Sequence, residues 1–360
     1  MPAIAAFTGS PHPRFVEAAD PGPPGPGEVR CRTLELGICG TDREILESAK
    51  PWVPEGSDFL ILGHECLGRV EEVGPGVTEV AVGDLVVPTV RRRSGELPYR
   101  IDMLSWNEFT ERGIVRQHGY SAAAWVDEPK YLFRVPAELA GVAVLTEPLS
   151  VAEKGVNEAI ALQRGRLGSD YWTNEPPRVL VTGLGPIGFG AALATLARGW
   201  PTTIYGRDPA DSFRASLAVE LGACYRQVAP GALEPADVER DGFDLILECT
   251  GSEQVLIESG KALASRGALV WLGSTRMPAP ATLEFARLLR DGILRNHVHV
   301  ACVNSAPRDF ADALEHLAWF HKRRPAALAK LITERIGPHD ALWHYEHRRP
   351  QGIKTIVEFS

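Results

Sequence analysis

The chain has 360 residues, long enough for two domains with separate cores. Its composition is 44% hydrophobic and 23% charged, and its 35 glycines and 28 prolines follow no G-X-Y period, which excludes collagen-like and predominantly disordered chains. The 38 basic and 46 acidic residues leave a formal charge of −8 spread along the chain, so no nucleic-acid or membrane partner is expected.

The N-terminal MPAIAAFTGS lacks the basic flank and apolar core of a signal peptide, and no run of 18 apolar residues follows, so the default location is the cytoplasm. Six cysteines lie far apart (Cys31, Cys39, Cys66, Cys224, Cys249, Cys302), which argues against a disulfide framework. A special cysteine here is expected to be a ligand. The basic runs Arg91-Arg92-Arg93 and Lys322-Arg323-Arg324 are short and read as solvated loop or helix end.

In chain order, residues 1–154 read as short strands broken by turns: GEVRCRTLELGIC, GHECLGRVEEVG and GDLVVPTV, each rich in Val, Leu and Ile and bounded by Gly or Pro. The tract from Pro21 to Gly27 is a loop by composition. RRRSGELPYRIDMLSW, from Arg91 to Trp106, shows neither period and reads as a surface lobe. From Arg178, strand and helix alternate through RVLVTGLG, IGFGAALATLARG, TTIYGR, FDLILECTG and GALVWLGS, the pattern of βαβ units and a parallel sheet. Residues 155–300 are therefore expected to form a Rossmann-type α/β domain. Residues 301–360 end in the strand-like IKTIVEF with no following crossover helix, and are expected to return to the first domain.

Gly183-Leu184-Gly185-Pro186-Ile187-Gly188 follows the strand RVLVT and opens the helix FGAALATLA. In that context one glycine permits the tight turn, the next lets backbone approach a pyrophosphate, and the third lets helix pack on strand. The second strand ends in Gly206-Arg207-Asp208; a cation at this point suits a ribose 2′-phosphate, which ranks NADP first and dual use with NAD second. Asp208 has two readings, a ribose hydroxyl partner or a helix cap. Thr250 and Gly273, in the loops after FDLILECTG and GALVWLGS, are placed with the cofactor-binding residues.

Three segments of the first domain bring together a thiol, an imidazole and carboxylates: Cys39-Gly40-Thr41-Asp42, His64-Glu65 and Glu147-Pro148. That mixture suits Zn²⁺, and three protein ligands leave a fourth position open for catalysis. Cys66 follows Glu65 on a strand and faces the other way, into the core. His118 reads either as a substrate contact or as a loop hydrogen bond.

These strings (GICGTD, GHE with GRVEEVGPGV and GD, EPL, and GLGPIG) resemble the zinc-dependent medium-chain dehydrogenase/reductase superfamily over essentially the whole chain. PTVRR, ERGIV, HGY, EPLSVAEK, CVNS and IKTIVEFS resemble its glucose 1-dehydrogenase branch. The resemblance implies a GroES-like, mostly-β catalytic domain beside the Rossmann domain. It implies Cys39 and His64 as zinc ligands, and Glu65 and Glu147 as carboxylates that ligate directly or through water. Thr41 matches the hydroxyl of a proton relay, and Asp42 a residue beside the zinc histidine. Glu111 and Asn304 match positions that hydrogen-bond sugar hydroxyls, a task Glu147 shares, and Lys354 looks like a basic contact to the cofactor. A homo-oligomer, dimer or tetramer, is implied, with GALVWLGS as a contributor to its contact.

Many relatives carry four closely spaced cysteines and a second, structural zinc after GD. No cysteine occurs between Cys66 and Cys224 here, so one zinc per chain is expected. The implied activity is oxidation of an aldose C1 hydroxyl to a lactone by hydride transfer to NADP or NAD, with Thr41 as first proton carrier. A polyol or cyclitol dehydrogenase with the same machinery is the nearest rival. A non-catalytic NADPH-binding protein is a rival of another class.

Overall fold

The computed structural model describes residues 1–228, 242–274 and 285–359. Residue contacts divide them into two units, one comprising residues 1–147, 304–318 and 332–360, the other residues 148–303 and 319–331.

The first unit is built on a seven-stranded sheet whose central strand, Val29–Gly37, pairs antiparallel with Glu65–Val73, Ala124–Asp127 and the C-terminal Lys354–Glu358. Its alternation of buried and half-buried residues is the period-two signature of a sheet with one face in the core. Ile4, Leu36, Leu62, Cys66, Val70, Tyr120, Trp125 and Val357 join the buried cluster beneath it, so Cys66 is a core residue as its strand position demanded. None of the six cysteines forms a disulfide.

The second unit holds a six-stranded parallel sheet in the order Cys224–Gln227, Thr202–Gly206, Val179–Thr182, Phe243–Glu248, Leu263–Trp271, Val298–Ala301. Numbered along the chain this is 3-2-1-4-5-6, the doubly wound arrangement in which ligands bind beyond the carboxyl ends of strands 1 and 4. Val179, Leu180 and Val181 are fully buried, as both faces of a parallel sheet require.

Several expectations change. The division falls at Glu147, inside the first turn of the continuous helix Thr146–Leu167, and not at residue 154. Residues 319–331 belong with the nucleotide-type unit, because the Arg324 guanidinium donates to the Glu220 carbonyl (2.6 Å) and Lys330 pairs with the Glu220 carboxylate (2.7 Å). GALVWLGS lies mostly in the fifth strand, flanked on both sides, and cannot be an edge; the outer strand is Val298–Ala301.

The largest correction concerns Arg91-Arg92-Arg93 and the lobe that follows. Arg91–Arg92 is a short strand antiparallel to Thr110–Arg112, which pairs in turn with Arg116–Gln117. Arg91 and Arg92 are buried. The Arg92 guanidinium donates to Asp127 (2.7 Å from Nη2), to the Tyr120 hydroxyl (2.7 Å) and to Thr89 Oγ1 (3.0 Å), and lies 4.2 Å from the centre of the Tyr131 ring. Arg112 adds a second cation to Asp127 at 3.3 Å. Buried guanidinium–carboxylate pairs thus form the core of this segment. Lys322 and Arg323 do lie exposed at the end of the helix Pro307–Arg323.

Candidate active site

Cys39 caps the helix Gly40–Ser48, and its backbone N–H donates to Asp42 Oδ2 at 2.9 Å. The other Asp42 oxygen lies 3.5 Å from His64 Nδ1, an ion-pair distance without a hydrogen bond, so one buried carboxylate holds the thiol-bearing turn and faces the imidazole. Thr41, half-buried, is the next-to-first residue of that helix. Glu65 stands opposite Gly37 in the antiparallel register, where a Cβ on residue 37 would sit 2.0 Å from Glu65 Oε2. Gly37 is therefore required by the Glu65 carboxylate. The ligand atoms of Cys39, His64 and Glu65 all lie within 4.8 Å of one another.

Glu147, in the first turn of Thr146–Leu167, is buried beside this group without joining it at that distance. Burial raises its carboxyl to about 7, with Glu65 and Asp42 pushing the same way and His64 and Lys354 opposing. Burial also works against the His64 imidazolium, yet Cys39 and Asp42 overcome it and hold His64 well above its ordinary value. A half-buried thiol and three buried carboxyl groups beside one buried imidazole fit a divalent cation: the ion would relieve the mutual repulsion that now falls on His64 and Lys354 to balance.

Lys354 is not placed as expected. Its ammonium is fully buried and donates to both Glu65 oxygens (2.6 and 2.5 Å) and, at 3.3 Å, to the Ile38 carbonyl. With its donors spent on a carboxylate inside the first unit, it is a partner of the metal-type cluster and has no hydrogen left aimed at a nucleotide.

Glu111 and Asn304, 193 positions apart, are brought together: Asn304 Nδ2 donates to Glu111 Oε1 at 2.9 Å. Asn304 is held at a left-handed φ of 60°, and its own Oδ1 accepts from the Ser305 N–H at 2.8 Å. His118 makes a loop hydrogen bond, accepting the Ile61 N–H at 3.1 Å while stacking on Phe59.

In the second unit the three glycines of the turn differ in what surrounds them. Gly183 has φ +98°; a Cβ at Gly188 would lie 2.1 Å from the Gly183 carbonyl oxygen; a Cβ at Gly185 would meet nothing within 4 Å. Gly185 caps the helix Pro186–Ala197 without any side-chain bond, so the helix N–H groups open onto that space, the cradle a pyrophosphate fits. Ile187 belongs to the same first turn. Thr250 reaches this turn, its methyl 3.1 Å from where a Cβ at Gly183 would sit, and Gly273 packs against the backbone after Thr250, where a Cβ would strike the Gly251 nitrogen (2.1 Å).

Sequence reasoning missed Glu248, buried at the end of its strand. Its carboxylate accepts from the Thr182 hydroxyl (3.2 Å), from the N–H groups of Thr250 (2.7 Å) and Gly251 (3.3 Å), and from the Thr250 hydroxyl. A carboxylate inside the apolar run FDLILECTG was the available signal. Asp208 is not the helix cap, since Ser212 caps the following helix, and Asp208 Oδ1 is paired with Arg214 at 2.5 Å. Gly206 is demanded by packing, as a Cβ there would lie 2.8 Å from Leu184, while Arg207 beside it is exposed.

A divided chain with a thiol–imidazole–carboxylate cluster in a β-rich unit and a phosphate-type turn in a doubly wound unit is the layout of a metal-dependent nicotinamide dehydrogenase. Comparison with known proteins agrees. Residues 25–137 match the alcohol dehydrogenase GroES-like domain, and residues 140–359 match the glucose dehydrogenase C-terminus. Glucose 1-dehydrogenase 1 of Caldivirga maquilingensis is 38% identical over 363 residues, covering 100% of this chain and 99% of that protein. Glucose 1-dehydrogenase of Thermoproteus tenax is 40% identical over 336 residues, 93% of this chain and 92% of that one. The structure of Haloferax mediterranei glucose dehydrogenase in complex with NADP, Zn and gluconolactone superposes with a TM-score of 0.87 at 31% identity, covering 100% and 99% of the two chains. The chain belongs to the glucose dehydrogenase branch of the zinc-dependent medium-chain dehydrogenase/reductase superfamily. Among the described residues no helix is long and apolar enough to cross a membrane.

Proposed function

We propose that the chain oxidises the C1 hydroxyl of β-D-glucose, or of a closely related aldose, to the lactone, with one zinc per chain and NADP preferred over NAD. The observation that carries this reading is the cluster of Cys39, His64 and Glu65 ligand atoms within 4.8 Å, backed by Asp42, in a chain whose relatives of 38 and 40% identity are named glucose 1-dehydrogenases.

Cys39 and His64, with Glu65 or Glu147 as the carboxylate, are the residues that would hold zinc, whose chemistry when bound is to stabilise negative charge on a substrate oxygen. The nicotinamide supplies the hydride acceptor. The chain's own residues orient and move protons. Asp42 holds the Cys39 turn and faces His64, and Lys354 holds the Glu65 carboxylate. Thr41 offers a hydroxyl on the same turn as Cys39 to take the carbinol proton. Glu111, Asn304 and Glu147 supply partners for sugar hydroxyls, each of which needs one once it leaves water.

For the cofactor, Asp208 is neutralised by Arg214 while Arg207 stays exposed at the end of the second strand, which favours a 2′-phosphate over a bare ribose. Buried arginine pairs hold the lobe after Asp84, and no four-cysteine set exists, which supports a single zinc. For assembly, the outer edge of Val298–Ala301 is unpaired among the described residues, consistent with a homo-oligomer joined there.

The test incubates zinc-loaded protein with glucose and, separately, NADP or NAD, following reduced-nicotinamide absorbance, with metal analysis alongside. Reduction of NADP faster than NAD at one zinc per chain is expected. Oxidation of alditols or inositols without C1 oxidation of aldoses would overturn the glucose reading, and two tightly held zincs would overturn the single-metal one. NADPH binding without zinc or turnover would point to a non-catalytic protein.

A further inference from the structure

We infer that Arg91 is a positioning residue for sugar recognition, fixing the Glu111 carboxylate so that one oxygen, Oε2, is left to accept a substrate hydroxyl. Arg91 and Glu111 face each other across the antiparallel pair of short strands in the lobe, 20 positions apart in sequence. Nε and Nη2 of Arg91 donate to Glu111 Oε1 at 3.0 and 2.9 Å, and Asn304 Nδ2 adds a third donor to the same oxygen at 2.9 Å. Among the described residues none donates to Oε2, and the Glu111 side chain keeps 9% of its surface exposed. An ionised carboxylate is acceptor-only, so a free oxygen on an otherwise locked carboxylate selects a hydroxyl that donates.

Arg91 is itself immobilised on every side. Its Nη1 donates to the Asp102 carbonyl at 2.7 Å, and the guanidinium lies 3.7 Å from the centre of the Phe109 ring. A lysine at this place would keep the charge but lose the planar fork that meets Oε1 twice and Asp102 at once. This cysteine-free segment is thereby tied through one buried side chain to a residue of the proposed sugar site. This inference rests on the aldose reading above, and the two fail separately.

The experiment measures steady-state kinetics of the zinc-loaded full chain and of Arg91→Lys on glucose and on its monodeoxy analogues. For Arg91→Lys, KM for glucose is expected to rise about tenfold or more, with KM for NADP and zinc content as in the wild type. With the one deoxyglucose that lacks the hydroxyl donated to Glu111, kcat/KM of variant and wild type should coincide. An unchanged KM for glucose, or an equal loss on every analogue with NADP binding weakened too, overturns the inference and makes Arg91 a packing residue. If Arg91→Lys does not fold, Phe109→Leu, which loosens the guanidinium without touching Glu111, is read by the same selective rise in sugar KM, and its absence overturns the inference. A wild type that oxidises no aldose sinks the functional reading instead.

Discussion

The glycine turn of the nucleotide-type unit and the lobe from Arg91 to Gln117 solve the same problem, holding a loop in one shape, by opposite means. In the turn, three glycines within six residues allow backbone to approach backbone: Gly183 takes a left-handed φ and Gly188 lies where any Cβ would collide with the Gly183 carbonyl. In the lobe the constraint comes from side chains far apart in sequence, Arg92 with Asp127 and Arg91 with Glu111, buried and cross-bonded. The first is held by the absence of side chains and the second by an excess of charged ones. A local backbone solution tolerates no added atom, whereas a network of ions tolerates no missing one.

That contrast can be broken most severely in the lobe. Arg92→Met strands Asp127 in a buried site with only the more distant Arg112 as counter-ion. The expected loss of unfolding free energy is about 3–5 kcal/mol, read from urea denaturation; a change below about 1 kcal/mol would mean that Arg112 alone suffices. In the turn, Gly188→Ala has to displace the Gly183 carbonyl 2.1 Å away, and about 1–3 kcal/mol of stability should go with it. Gly185→Ala meets nothing within 4 Å and should leave stability within about 0.5 kcal/mol of the wild type, yet raise KM for NADP about tenfold by filling the phosphate space. Equal effects of the two alanines on stability would refute the division of roles.

The smallest effect is one of pH. Burial alone would raise the Asp127 carboxyl, but Arg92 and Arg112 more than offset it and hold it below its ordinary 3.8. A depressed carboxyl contributes stability that is full above its unfolded value and is lost as pH falls through the folded one. The stability gap between wild type and Asp127→Asn should therefore stay constant from about pH 8 to pH 5 and close only below about pH 4. A gap that closes near neutrality would show that Asp127 is not held as its charge partners imply.

How much of this was legible beforehand follows from the same contrast. The turn at Gly183, the ligand-type residues Cys39 and His64, and the pairing of thiol, imidazole and carboxylate lie in short strings whose spacing carries their geometry. The corrections at Arg91, Arg92 and Lys354 involve long sequence separation. Arg91 and Arg92 looked solvated because a triplet of arginines in a stretch without periodicity normally is, and their partners stand 20 and 35 positions away. Lys354 looked like a cofactor contact until the C-terminal strand, paired with Val29–Gly37, carried it to Glu65, 289 residues upstream.

Sequence by itself determined the strand and helix periods, the glycine turn, the thiol, imidazole and carboxylate donor set, and the absence of a four-cysteine lobe. Those features depend on backbone sterics and on residue chemistry within a few neighbours, which a linear string records. Tertiary structure alone decided which carboxylates are free. Glu65 is paired with Lys354, and Glu111 keeps one oxygen open because Arg91 and Asn304 share the other. The physical reason is that a buried charge is fixed by whatever counter-ion the fold delivers to it, and that delivery is set by sheet register and strand order, which no local pattern encodes.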